Sequence, residues 1–157
     1  VALDLDDVAQ ALAGAITDAH IVVNGLELVA MDFMPESPPG TGLLFAVAEF
    51  TNSYQQTFDE SSTVGGKDRY VMTCRLFAPR GDAATAQRTL RKVMSNTSDS
   101  TSLIAVLKAA RGAPGQRALG GVADDCAFQT VRGPRLYGFG APEVSLYGLE
   151  LSFLVVG

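Results

Sequence analysis

The run LLFAVAEF, residues 43–50, limits what this chain can fold into more than any other stretch. Side chains along a strand point alternately to opposite faces, and here Leu43, Phe45 and Val47 take one parity while Leu44 and Ala46 take the other. A strand apolar on both parities has to be covered on both faces. The final apolar run, EVSLYGLELSFLVV at 143–156, alternates more cleanly, with Tyr147, Leu149, Leu151, Phe153 and Val155 in one phase. Val144 and Leu146 fall in the opposite phase, and the break beside Gly148 predicts a bulge there.

Around these two strands the remaining elements follow from spacing. Leu5, Val8, Ala9, Leu12 and Ile16 recur at helical intervals behind Asp4, Asp6 and Asp7, so a helix is expected over about 4–19. LELVAMDFM reads as a strand ended by the proline–glycine loop PESPPGTG. The polar stretch 51–68, TNSYQQTFDESSTVGGKD, precedes the strand RYVMTCRLFA and reads as the projecting arm of a long hairpin. Asp82 is placed to cap a helix running to about Met94. Its apolar stripe is Ala83, Ala86, Leu90, Val93 and Met94, and Arg88, Arg91 and Lys92 line the other side. After the polar connector SNTSDSTS a shorter helix, Leu103 to Arg111, buries Leu103, Ile104 and Leu107. The strand VADDCAFQTV and a turn at RGPR lead to the final strand. One helix, three strands, two helices and further strands predict an α+β domain with a mostly antiparallel β-sheet and helices packed on one face.

Length and composition set the outer limits. The 157 residues fit a single domain, 1–157, with a real core, and the 47% apolar and 18% charged fractions are those of a globular chain. No apolar run reaches the ~18–20 residues of a membrane span, and the acidic VALDLDD opening is the reverse of a secretory n-region. Two cysteines provide no disulfide framework and suit a reducing compartment.

The net charge of −5 conceals an asymmetry: residues 1–66 carry ten acids and no Lys or Arg, whereas residues 67–157 carry all twelve bases and seven acids. Segregated charge of this kind can steer the acidic surface of one copy onto the basic surface of another. Alternatively, folding interleaves the two halves and cancels the field.

Candidate chemistry begins with Asp124-Asp125-Cys126 in ALGGVADDCAFQTVRG. Strand geometry sends the two aspartates to opposite faces, so they form no acid–base dyad, and Asp124 is placed to satisfy backbone donors of the Gly120-Gly121 turn. Cys126 and Cys74 sit among apolar neighbours, and His20, the one histidine, is read as a helix C-terminal residue rather than a general base. Catalytic residues, cofactors and metals are therefore all expected to be absent: three scattered His and Cys side chains fall short of a zinc set, and no phosphate-binding or nucleophile-elbow motif is present. GGKD at 65–68 reads as a hairpin turn, and a pI near 4.7 opposes general affinity for nucleic acid despite the basic helix face.

One resemblance goes further. The helix SLIAVLKAAR, the turn and strand ALGGVADDCAFQTVRG, and YGFGAPEVSLYGLELSFLVV resemble the tail-terminator (tail completion) proteins of long-tailed, siphovirus-type bacteriophages. ALDLDDVAQALAGAI is similar to the first helix of those proteins, and RYVMTCRLFAPRGDAATAQRTL to their central strand and helix. Their final Y-x-G-x-E pattern appears here as Tyr147-Gly148-Leu149-Glu150-Leu151, one residue shorter between tyrosine and glycine, and the likeness is weakest from about 25 to 66.

The resemblance implies a virion protein of the head-proximal tail end, assembled in the host bacterial cytoplasm and without a membrane. It would form a hexameric ring on the tail tube, end tube growth and meet the head-side connector, with DNA only as passing cargo. In a head-to-tail ring one face complements a different face of the next copy. Asp4, Asp6 and Asp7 against Arg88, Arg91 and Lys92 are the expected ring contact. Phe58, Asp59, Glu60 and Lys67 of the 51–68 arm are expected to touch the tube, the adjacent ring or the lumen. The rivals are another connector or tube ring, a non-viral binding module, and a small cytoplasmic enzyme using Cys126, Asp125 and His20.

Overall fold

Asp4 accepts the backbone N–H groups of Asp6 and Asp7 at 2.9 and 3.3 Å, giving the first helix, α1 (Leu5–Asp18), a capped start. The structure, a computed structural model, describes residues 3–36, 42–52, 69–95, 102–113, 115–139 and 144–157. α1 buries Val8, Ala9, Leu12, Ala13 and Ile16 on one face. It ends as His20 turns to φ +50 and donates its N–H to the Thr17 carbonyl.

A hairpin then precedes the first expected strand. Asn24 and Gly25 take φ values of +52 and +77, both in the left-handed region, and join β1 (Val22–Val23) to β2 (Leu26–Met31). Asn-Gly between apolar runs is the strongest short hairpin signal. Asn24 also fastens this turn to the helix at Ala83–Val93. Its amide donates to the Thr89 hydroxyl at 3.2 Å and its carbonyl oxygen accepts from Lys92 Nζ at 3.2 Å. Asn24→Ala loses both bonds and strains a positive φ, so it should lower stability by about 1–2 kcal/mol in urea denaturation.

β3 (Leu43–Asn52) lies parallel to β2, and every other pairing in the sheet is antiparallel. With β4 (Arg69–Phe77), β5 (Asp125–Phe139) and β6 (Val144–Val156), the order across the sheet is β1-β2-β3-β4-β6-β5. Thr51 and Asn52, expected to begin the 51–68 arm, instead extend β3 and pair with Val71 and Tyr70; residues 53–68, with the four candidate residues, lie outside the described residues.

α2 (Ala83–Val93) starts where the Asp82 carboxylate accepts the Thr85 N–H at 3.1 Å, and α3 (Leu103–Arg111) follows. On α2 the buried positions are Ala86, Thr89, Leu90 and Val93, while Ala83 is exposed. Thr89 takes its place in the stripe because its hydroxyl is satisfied locally, donating to the Thr85 carbonyl at 2.9 Å. On α3 Leu103 and Leu107 are buried, and Ile104 is half-buried.

The three helices share the main core with one face of the sheet, so the expected α+β class with helices on one face holds. Leu43, Phe45 and Val47 enter that core. Leu44 and Ala46 enter a second cluster with Phe77, Tyr137 and Leu146, against which Met31, Met34 and Val144 pack. The two-sided strand is thus covered on both faces. Leu146 lies on the other face as its phase indicates, but the expected bulge is not in this strand: the β4–β6 register runs unbroken from Val156 to Gly148, its last pair. The bulge lies on the partner strand, between Arg132 and Arg135, where Gly133 at φ +116 passes over Gly148. RGPR is this bulge inside one 15-residue strand, not a turn.

Candidate subunit interface

The charges that the sequence divides between its halves stay divided across the sheet. The N-terminal strands β1, β2 and β3 occupy one side, and β4, β6 and β5 the other, with no strand of one group inserted into the other. α1 lies over β2 and β3, whereas α2 packs chiefly on β6. The sheet order therefore does not interleave the acidic and basic halves. The acids Asp4, Asp6, Asp7 and Glu27 are exposed on the first side, and Arg132 and Arg135 on the strand that ends the second.

The six expected contact residues fall on two separate helices. Asp4 has a local role as the α1 cap, Asp6 accepts the Gln10 amide at 2.9 Å, and Asp7 is exposed beside them. Arg88, Arg91 and Lys92 are exposed on α2 opposite its buried stripe, and Lys92 reaches the Asn24 turn. No hydrogen bond or ion pair among the described residues joins the acidic set to the basic set within one chain. Both sets are turned to the outside, which leaves them open to a contact between copies.

The Asp124-Asp125-Cys126 motif resolves into scaffold. Asp125 receives a two-pronged bond from Arg111, Nε to Oδ1 at 2.9 Å and Nη2 to Oδ2 at 3.2 Å. Asp124 engages Arg117 Nε at 3.1 Å. The Asp124 N–H donates to the Val156 carbonyl at 2.8 Å. Together these bonds stitch the 111–117 segment to the start of β5. The open cleft of about 450 Å³ there is lined by Arg111, Gln116, Asp124 and Asp125, and the Arg111 guanidinium is paired with the Asp125 carboxylate.

Cys126 is 3% exposed and Cys74 is fully buried, both in the main core. Burial, and next the Asp125 charge, push the Cys126 thiol up to about 12 against a partial offset from Arg111. Burial and then Cys126 push Cys74 well above its ordinary value. A thiol so held stays protonated at neutral pH and is no nucleophile, and His20 is exposed at the end of α1. No group of three or more His, Cys, Asp or Glu among the described residues could hold a metal. No helix among them is long and apolar enough to cross a membrane.

One cluster was not anticipated from the sequence. Tyr137 lies edge-on to Phe77, ring centroids 6.1 Å apart, with the Arg75 and Arg135 guanidinium carbons 5.0 and 4.8 Å from its ring centroid. Arg75 Nε also stands 3.8 Å from Glu150, which is charge attraction beyond hydrogen-bond length. The tyrosine in YGFG was the available signal, but nothing in its spacing reveals which strand its ring will cross. No family model matches the chain, and no curated protein matches it.

Proposed function

We propose that this chain is a virion structural protein of the tail-terminator kind. It forms a closed ring on a phage tail tube, stops the tube from growing, and presents a surface to the head-side connector while DNA passes through the centre. The observation that supports this most is the order of exposed charge on the strands, acids on β2 and β3 and bases on β5, while α2 carries Lys92 to the Asn24 turn. A head-to-tail ring needs two different complementary faces on each copy. The resemblance of the C-terminal half supplies the kind of ring. No catalytic, metal or cofactor role is part of the reading.

In this reading Arg88, Arg91 and Lys92 of one copy meet Asp4, Asp6 and Asp7 of the next. Reversing all three bases to glutamate should leave the circular dichroism spectrum unchanged and raise the concentration for half-assembly about tenfold or more, with wild-type assembly itself weakening in salt. Electron microscopy of the wild-type protein tests the function: single closed rings with a central channel are expected. Long cylinders would instead identify a tube subunit, and a protein that stays monomeric at every concentration would refute the ring.

A further inference from the structure

Six large hydrophobic side chains are exposed among the described residues: Val22, Val29, Phe33, Val71, Val131 and Leu136. Five of them gather at the two opposite margins of the sheet. Val22 at 55% exposure is on β1, Val29 on β2, and Phe33 at 56% follows β2. Val131 at 43% and Leu136 at 54% are on β5. β1 pairs only with Leu26 and Glu27, so most of β2 stands near the margin as well.

The polar residues beside them differ in sign. Glu27 and Glu36 are exposed at the first margin, and α2 brings Lys92 to the Asn24 turn beside them. Arg132 and Arg135 are exposed at the second. Apolar side chains ringed by opposite charges on two margins of one sheet are what two faces of a head-to-tail contact require.

We propose that the β5 margin of one copy docks on the β1–β2 margin of the next, with Val131 and Leu136 against Val22 and Phe33, and Arg132 facing Glu27. This assignment rests on the ring reading and adds a sheet sector to it. Side chains, not an added β-ladder, make the contact. The β5 strand is interrupted by bulges after Phe128 and after Arg132, and Pro134 has no N–H to offer. Such an edge resists open-ended strand pairing while still taking a shaped partner.

Cysteine cross-linking tests the proposal, since Cys74 and Cys126 are buried and do not compete. Val22→Cys/Val131→Cys should yield a ladder of disulfide-linked oligomers under mild oxidation, while each single substitution stays monomeric on a non-reducing gel. Linking of either single variant as efficiently as the double would mean a two-fold contact and overturn the head-to-tail assignment.

A charge exchange supplies the second measurement. Arg132→Glu and Glu27→Arg should each weaken assembly about tenfold, and the double exchange should recover most of that loss. Leu136→Ser, outside the core, should weaken assembly as well. Rings that form normally with Arg132→Glu and Leu136→Ser, and that yield no ladder, would overturn the edge contact and leave the ring reading standing. A wild-type protein that never forms rings would overturn both.

Discussion

Gly148→Val should cost the fold at least about 3 kcal/mol, read as a lower urea midpoint with an unchanged slope. Gly148 lies in β6 between Phe77 of β4 and Arg135 of β5. A Cβ there would stand 2.9 Å from the Leu76 carbonyl oxygen and 3.1 Å from both Phe77 Cδ1 and Tyr137 Cδ2. The carbonyl belongs to a backbone held by the β4–β6 ladder and has little room to retreat. The Tyr137 ring can move only by leaving Phe77 and the two guanidinium groups, each such cation–π contact contributing about 0.5–2 kcal/mol.

Gly133 completes the arrangement, since a side chain there would meet the Gly148 carbonyl oxygen at 2.9 Å on a backbone already at φ +116. Two glycines on neighbouring strands thus let the bulge and the tyrosine ring share one slot. Placing Gly148→Val in a Tyr137→Ala background separates the causes: the ring conflict disappears, the carbonyl conflict remains, and most of the loss should persist. Wild-type stability for Gly148→Val in the native background would refute the close approach.

Features that depend on a residue's own neighbourhood were legible in the sequence. The parity of LLFAVAEF told correctly that both faces would be covered, and Asp4 and Asp82 told where two helices begin. Features that depend on which strand lies alongside were not. Periodicity reports the face a side chain takes but not its lateral neighbour, so nothing in VADDCAFQTVRG marked β5 as the edge strand on which Val131 is exposed. The phase break at Gly148 was real, yet its bulge sat on the opposite strand, which one strand's alternation cannot disclose.

The candidate interface divides along the same line. Charge separation along the chain is visible in composition, but its survival in the fold depends on the strand order. A β4, β5 or β6 inserted among β1, β2 and β3 would have cancelled it. Exposed hydrophobics at the margins add to that separation an apolar component that charge counting alone does not reveal. The aspartates of the DDC motif were read as scaffold, but their arginine partners were not legible for the converse reason: Arg111 and Arg117 lie 14 and 7 residues earlier, and only the turn of the chain brings them back.

Raising the pH from 9 toward 12 should destabilise the protein by several kcal/mol, and Cys126 should carry a measurable part of the loss. The thiol titrates near 9.0 in the unfolded chain and at about 12 in the folded one, because burial disfavours the thiolate. Below pH 9 both states hold the proton and its stabilising contribution is complete. Between 9 and 12 the unfolded state releases the proton while the folded state keeps it, so stability falls by about 1.4 kcal/mol per pH unit, toward ~4 kcal/mol. Against a total of about 5–15 kcal/mol for an ordinary domain, that is enough to move the unfolding midpoint well down. Cys74 acts in the same direction. The informative quantity is a difference: Cys126→Ala should flatten the alkaline limb by at least about 2 kcal/mol between pH 9 and 11. At pH 8 a thiol reagent should leave both cysteines unmodified in the native protein and label both in denaturant. Rapid labelling of native Cys126, with an alkaline limb unchanged by Cys126→Ala, would instead mean an accessible thiolate. That outcome would reinstate the enzyme reading that burial now opposes.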